Sequence, residues 1–232
     1  MSNQLKIYII HYTKLEERKR NIQSILDPFS IDYEFIESFD KEELKQLDRK
    51  EYYEDSKIKF DEKVTLWKER ANKYYTLSEA EISCTIKHIE ALKKIRDGDH
   101  EFNLILEDDA IPKYNNFLKY INPLIQKPHN WDVLLIGEGM GKNFRNSKIG
   151  LRRFNPFKLM FKIEHPATNC LEAYIVKKSK VDLILDQLIP FNLIIDWELA
   201  HQFFIKNMNI YWSKKSIFQQ GSKNNLFKSE LR

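Results

Sequence analysis

The period of the apolar residues changes repeatedly along the chain, and each change marks an element. Leu5 to Tyr12 (LKIYIIHY) is a short, continuous run of β-branched and aromatic residues, which predicts a buried strand. Thr13-Lys-Leu-Glu16 follows as a capping-box pattern that opens a helix. Leu15, Ile22, Ile25 and Leu26 line its buried face, and Asp27-Pro28 ends it. Tyr33 to Asp40 (YEFIESFD) reads as a second strand. Strand, helix and strand at this spacing predict a parallel sheet.

Asp40 to Tyr75 changes character. It is dense in Lys, Glu and Asp, with Tyr52, Tyr53, Phe60, Trp67, Tyr74 and Tyr75 interspersed and neither Gly nor Pro. A helical insertion on the rim of the sheet is expected there. Ser78-Glu-Ala-Glu81 is a second capping box, and Ile82, Ile86, Ile89, Leu92 and Ile95 continue at helical spacing until Asp97-Gly98-Asp99. Phe102 to Leu106, Trp131 to Gly137, Asn169 to Val176 and Asn209 to Trp212 read as further strands. Ser179 is placed to cap a helix through Leu188, and Asp196 to cap one through Phe203 and Ile205. No repeat, low-complexity tract or Gly/Pro linker divides residues 1–232. The expectation is one α/β domain, with a Rossmann-like, mostly parallel sheet flanked by helices. Such sheets bind ligands beyond the carboxyl ends of their strands.

Composition narrows the function. Lys plus Arg number 38 against 34 acidic residues, a formal net charge of +4. That balance does not suit a dedicated nucleic-acid binder, but it does suit an anionic ligand such as a nucleotide phosphate. Cys84 and Cys170 have no metal-type spacing and are expected as two reduced thiols. The opening MSNQLKIYIIHYTK is too short in apolar residues for a signal sequence, and no segment approaches a membrane span. A cytoplasmic protein is expected, with peripheral membrane contact through basic side chains left open.

Three carboxylates, Glu107, Asp108 and Asp109, stand in NLILEDDAIP where a buried strand ends. Consecutive like charges repel, and a hard divalent cation with a bound phosphate relieves that repulsion: Mg²⁺ and Mn²⁺ take one or two carboxylates plus substrate oxygens. An acidic loop capping the next element is the plainer alternative. GEGMGKN (Gly137 to Asn143) is not a phosphate loop: three residues separate Gly137 from Gly141 where the motif needs four, and Asn143 follows Lys142. Cys84 and His88 share one helix face, but no second pair supports a metal site, so His88 is expected as a hydrogen-bonded core or second-layer residue. Asp196 reads by spacing as an N-cap rather than a base.

Taken in order, these blocks resemble glycosyltransferase family 25. IYIIHYTKLEERKRNI is similar to the family's opening strand and its Arg-bearing helix, with Arg18 or Arg20 in the arginine position. LSEAEISCTIKHIEAL resembles its Glu-x-Gly-Cys-x-x-Ser-His pattern, and LILEDDA its Ile-Leu-Glu-Asp-Asp block. WDVLLIG, EAYIVKKSKVDLIL, IIDW and SIFQQGSK resemble downstream blocks. Ser83 and Lys87 depart from the usual Gly and Ser. The resemblance implies a GT-A-like fold, a UDP-sugar donor and Mn²⁺ or Mg²⁺. It makes Asp109 a metal ligand, Asp108 a ligand of ribose or metal, and Glu107 a support of the turn beside the nucleotide. It sets Ile9, His11, Arg18, His88 and Gln219 near the cofactor, Gln220 with Gln219. It implies inverting transfer to a glycan, glycolipid or glycoprotein hydroxyl, with Asp196 as first choice of general base and Glu172 as second.

Two other classes stay open at this stage. A metal-dependent nuclease would want a Glu-x-Lys on one strand and a basic groove, and neither is visible. A non-catalytic nucleotide- or sugar-binding relative would bind without turnover. Acceptor choice is expected in the insertion and in the loop Gly139 to His165, with Arg152, Arg153 and Lys158.

Overall fold

A computed structural model describes residues 5–65, 74–126, 130–139, 159–163, 171–224 and 226–227. Most of the Gly139 to His165 loop, including Arg152, Arg153 and Lys158, lies outside the described residues, as do Cys170 and positions 66–73 of the insertion. The chain runs β1 (Leu5–Ile10), α1 (Glu16–Leu26), β2 (Tyr33–Ile36), α2 (Lys57–Val64), α3 (Glu79–Asp97), β3 (Phe102–Glu107), β4 (Ala110–Pro112), α4 (Leu118–Gln126), β5 (Val133–Leu135), β6 (Met160–Lys162), β7 (Ala173–Lys177), α5 (Val181–Leu185), α6 (Ile195–Ile205), β8 (Ile210–Ser213) and β9 (Phe218–Gln220).

One sheet has the order β2-β1-β3-β7-β5-β8-β6, and β4 pairs with β9 in a separate ribbon. β1 pairs in parallel with both β2 and β3, and β5 in parallel with β8. β7 runs antiparallel to both its neighbours, and β6 antiparallel to β8. The mostly parallel α/β sheet is therefore mixed, with β7 reversed at its centre. The run AYIVK is buried along four of its five positions, like the parallel strands beside it. Its side chains carry no mark of direction, so the reversal could not be read from them.

Alternation divides the core. Tyr8, Ile10 and Ile105 point to one face, where Ile86, Ile89 and Leu92 of α3 cover them. Ile7, Ile9, Leu104 and Leu106 point to the other, under Ile22 and Leu26 of α1. Each fully buried aliphatic side chain contributes about 1.5–3 kcal/mol relative to exposure. Because α1 and α3 take opposite faces, β2 is added on one side of β1 and β3 on the other. The strand order thus reverses at β1, and a crevice opens beyond Ile10 and Glu107.

Several local readings shift. The Ser78 box forms in full, with reciprocal bonds to Glu81. The Thr13 box does not: α1 begins after Leu15 with no side-chain cap, and Thr13 donates its hydroxyl to Asp40 instead. Ser179 bonds Glu101 rather than capping, and α5 stops at Leu185. Asp196 lies inside the first turn of α6, whose N-cap is Ile194. The insertion holds two short 3-10 turns, at Glu43–Gln46 and Arg49–Glu51, before α2. It is anchored rather than loosely attached. Leu44 is fully buried, and Phe60 and Val64 pack on Trp197 and Ala200 of α6. Lys63 pairs with Glu198, whose other oxygen accepts the amides of Asn192 and Leu193. The helix carrying Asp196 is thereby braced from outside. Among the described residues no helix is long and apolar enough to cross a membrane.

Candidate active site

The acidic triplet sits at the strand reversal. The Asp108 amide donates to the Ile10 carbonyl at 3.0 Å, and the Glu107 amide to the Glu172 carbonyl at 3.0 Å, which locks the turn between β1 and the strand segment ahead of β7. The three carboxylates then face three environments.

Asp108 is held on all sides. Arg18 donates from Nη1 to Oδ1 at 2.7 Å, His11 Nδ1 lies 2.9 Å from Oδ2, and the Tyr12 amide donates to Oδ2 at 3.3 Å. The Arg18 and Asp108 side chains are only 10% and 9% exposed, so this is a buried charge-assisted pair with its lone pairs satisfied. Asp109 turns toward the C-terminal segment. Its Oδ2 accepts the Ser222 amide at 3.2 Å, and its carbonyl accepts the Gly221 amide at 2.7 Å. A Cβ on Gly221 would stand 2.9 Å from that carbonyl, so the approach requires glycine. Asp109 Oδ1 is buried with no partner among the described residues. Glu107 accepts from Gln220 Nε2 at 3.4 Å, and its Oε1 is 3.8 Å from His88 Nε2.

Burial, with crowding, raises Glu107 and Asp109. Burial, then the charges of Asp109 and Glu172, push Glu107 well above the carboxylate range. Burial also raises Asp109, against the opposing Ser222 bonds. Burial, with Glu107 nearby, pushes Asp196 up to about 7. Burial lowers His88 to about 4. Such a set is costly with every proton removed, and a cation relieves it.

A pocket of about 680 Å³, open mouth included, lies over this edge, with Ile10, Tyr12, Arg18, Cys84, Asp109 and Gln220 in its walls. His11, Glu107 and Asp108 also line it. Of the other residues singled out in the sequence, His88 lies fully buried behind Cys84 and Glu107, its Nδ1 3.0 Å from the Tyr174 hydroxyl. Ile9 is buried in the core, and its neighbour Ile10 reaches the pocket. Gln219 is likewise absent from the pocket wall, and Gln220 is present. Glu172 clamps a turn: Oε1 accepts the amides of Glu138 and Gly139, and a Cβ on Gly137 would collide with its carboxylate at 2.5 Å. Its Oε2 has no partner among the described residues.

Four participants were given no role at the site from the sequence, although Ser83 and Lys87 stood out as departures from the family pattern. Lys87 is buried and donates to the carbonyls of His11 and Glu37 and to the Asp40 carboxylate, tying together the chain beyond β1 and β2. Ser83 adds a bond to the Phe39 carbonyl. Tyr174 orients His88, and Ser222 supports Asp109. Tyr174 had a usable signal, since it shares a strand face with Glu172 by period-2 alternation. Ser222 lay in the SIFQQGSK block beside Gln219 and Gln220, but the β4–β9 pairing that carries it to the site was not legible.

The profile of glycosyltransferase family 25, described as an LPS biosynthesis protein family, matches residues 4–199. No curated protein sequence matches the chain. Among solved structures the chain is similar to TarS of S. aureus (TM-score 0.48, 18% identity, 94% of this chain and 60% of that one). It is also similar to a glycosyltransferase involved in glycosylation of the major capsid of PBCV-1 (0.46, 11%, 94% and 92%). A mutant Drosophila β1,4-galactosyltransferase 7 in complex with manganese, UDP-Gal and xylobiose gives 0.40 at 9% identity, over 98% and 75%.

Proposed function

Because the chain belongs to glycosyltransferase family 25 and glycosyl transfer is its reaction class, we propose that it moves a sugar, with inversion, from a UDP-sugar to a hydroxyl of a glycan or glycoconjugate. One observation carries this reading: Asp109 Oδ1, buried and without a partner among the described residues, at a pocket whose other aspartate is already fully engaged. A hard cation, Mn²⁺ or Mg²⁺, fits that oxygen, with diphosphate oxygens and water completing the shell. When bound, it would offset the charge that builds on the leaving diphosphate. Arg18 and His11 hold Asp108 rigid, so its turn presents Asp109 at a fixed place. Asp108, with its oxygens occupied, supports the nucleotide side through Arg18 and the Tyr12 backbone.

The proton of the acceptor hydroxyl needs a base on the far face of the sugar. Asp196 is our assignment. It lies in the first turn of a braced helix, and its carboxyl is poised near neutrality. Glu172 is the second choice, because one of its oxygens is committed to backbone amides.

Thermal unfolding of the full chain tests the reading. UDP with Mn²⁺ is expected to raise the melting temperature, with about 2.7 kcal/mol of stabilisation at a hundredfold excess over Kd. Asp109→Ala is expected to abolish the metal-dependent part. No shift with any nucleoside diphosphate would overturn it. UDP release over a panel of nucleotide sugars then identifies the donor.

A further inference from the structure

Behind the pocket wall, α3 brings Cys84 and His88 onto the same face as the end of β3. The Cys84 thiol, a His88 nitrogen and a Glu107 oxygen all lie within 4.8 Å of one another. His88 Nε2 is 3.8 Å from Glu107 Oε1. Donor atoms around a tetrahedral zinc-type ion, at bond lengths of about 2.0–2.3 Å, stand roughly 3.3–3.8 Å apart. The His88–Glu107 separation already matches that spacing, and the widest separation in the trio exceeds it by about 1 Å at most. His88 is fully buried, and its Nε2 has no hydrogen-bond partner among the described residues. An orphaned imidazole nitrogen aimed at a thiol and a carboxylate calls for an occupant.

We propose that Cys84 Sγ, His88 Nε2 and Glu107 form a second cation site at the floor of the pocket. It takes a borderline-soft divalent ion of the zinc class and leaves one coordination position open to the pocket. Thiolate and imidazole discriminate against Mg²⁺ and Mn²⁺, which separates this site from the oxygen at Asp109. The ligands have supporting partners of the usual kind. Tyr174 faces His88 Nδ1 at 3.0 Å, and with the proton on Nδ1 the Nε2 lone pair points into the cluster. Gln220 donates to the other Glu107 oxygen. Binding expels the Cys84 thiol proton and the proton held on Glu107 to solvent, so one thiolate and one carboxylate balance the two charges of the ion. Cys84 and Glu107 both line the pocket, which gives the ion a path of entry and the open position a place for water or a substrate oxygen. The inference does not depend on Asp109 or on a nucleotide.

The probe is Co²⁺ added to the metal-free full chain without nucleotide. One equivalent is expected to produce a thiolate-to-cobalt charge-transfer band and tetrahedral ligand-field bands, both displaced by Zn²⁺. Cys84→Ser is expected to lose the charge-transfer band, and Asp109→Asn to keep it. Tyr174→Phe is expected to weaken cobalt about 10–100-fold with the band intact. On the wild-type chain, Zn²⁺ is expected to slow alkylation of Cys84, read by peptide mass. A wild-type chain with no band, a band that survives Cys84→Ser, or alkylation indifferent to Zn²⁺ overturns the site. Each of those outcomes leaves the nucleotide-binding reading at Asp109 where it stood.

Discussion

Asp196 shows how one residue can be set by its surroundings. Its spacing says N-cap, yet it lies inside the first turn of α6, whose N-cap is Ile194. Burial and the nearby Glu107 lift its carboxyl from 3.8 to about 7. For a base the sign is direct: the working form is the anion, so kcat/KM is expected to fall as pH drops through about 7. Asp196→Asn is expected to remove that limb and to slow turnover on the order of 10²–10⁴-fold. For stability the sign is opposite. The folded chain keeps a proton that the unfolded chain releases above the ordinary value, so folding weakens as pH rises from about 3.8 to about 7. The same variant is therefore expected to unfold at a higher temperature at neutral pH, a gain in stability at the expense of activity.

Elements carry the next layer, and Lys87 belongs to it because it acts between them. Its ammonium joins the carbonyl beyond β1, the carbonyl beyond β2 and the Asp40 carboxylate, with both side chains almost fully buried. Lys87→Met removes the donor from both carbonyls and from Asp40 Oδ1, leaving the buried Asp40 charge without its cation, and is expected to cost about 3–5 kcal/mol in urea unfolding. Addition of Asp40→Asn to that variant is expected to recover part of the loss. Element reading from the sequence succeeded where periodicity and burial coincide. α3, with its Ser78 box and isoleucine ladder, was legible to the cap, and β1 and β3 nearly to the residue. The place of the acidic triplet at a sheet edge was legible because a buried strand delivers it there. Reading failed where a partner distant in sequence decides. Asp40 claims Thr13 from its capping box, β7 reverses without a mark in its side chains, and β4 exists only because β9 pairs with it. Cys84 and His88 lie far in sequence from Glu107, and folding brings the three within 4.8 Å of one another.

At the scale of the molecule, the sheet places its chemistry at one edge crevice and the last ribbon closes it. β9 pairs with β4 from Ala110↔Gln220 to Pro112↔Phe218, and this register sets Gln220 on Glu107 and Ser222 on Asp109. A chain ending after Lys215 is expected to keep the far-ultraviolet circular dichroism of the sheet. It is also expected to lose the thermal shift with UDP and Mn²⁺, because Asp109 no longer has its supporting amides. Retention of the full shift would show that the ribbon is dispensable. The same pairing has a meaning in time. During synthesis β1, β2 and β3 emerge early and can associate while the ribosome still holds the rest, whereas β9 emerges after every other strand described. The nascent chain thus acquires a framework well before the ribbon closes the acidic edge, and a product cut short before β9 would carry the sheet without that closure.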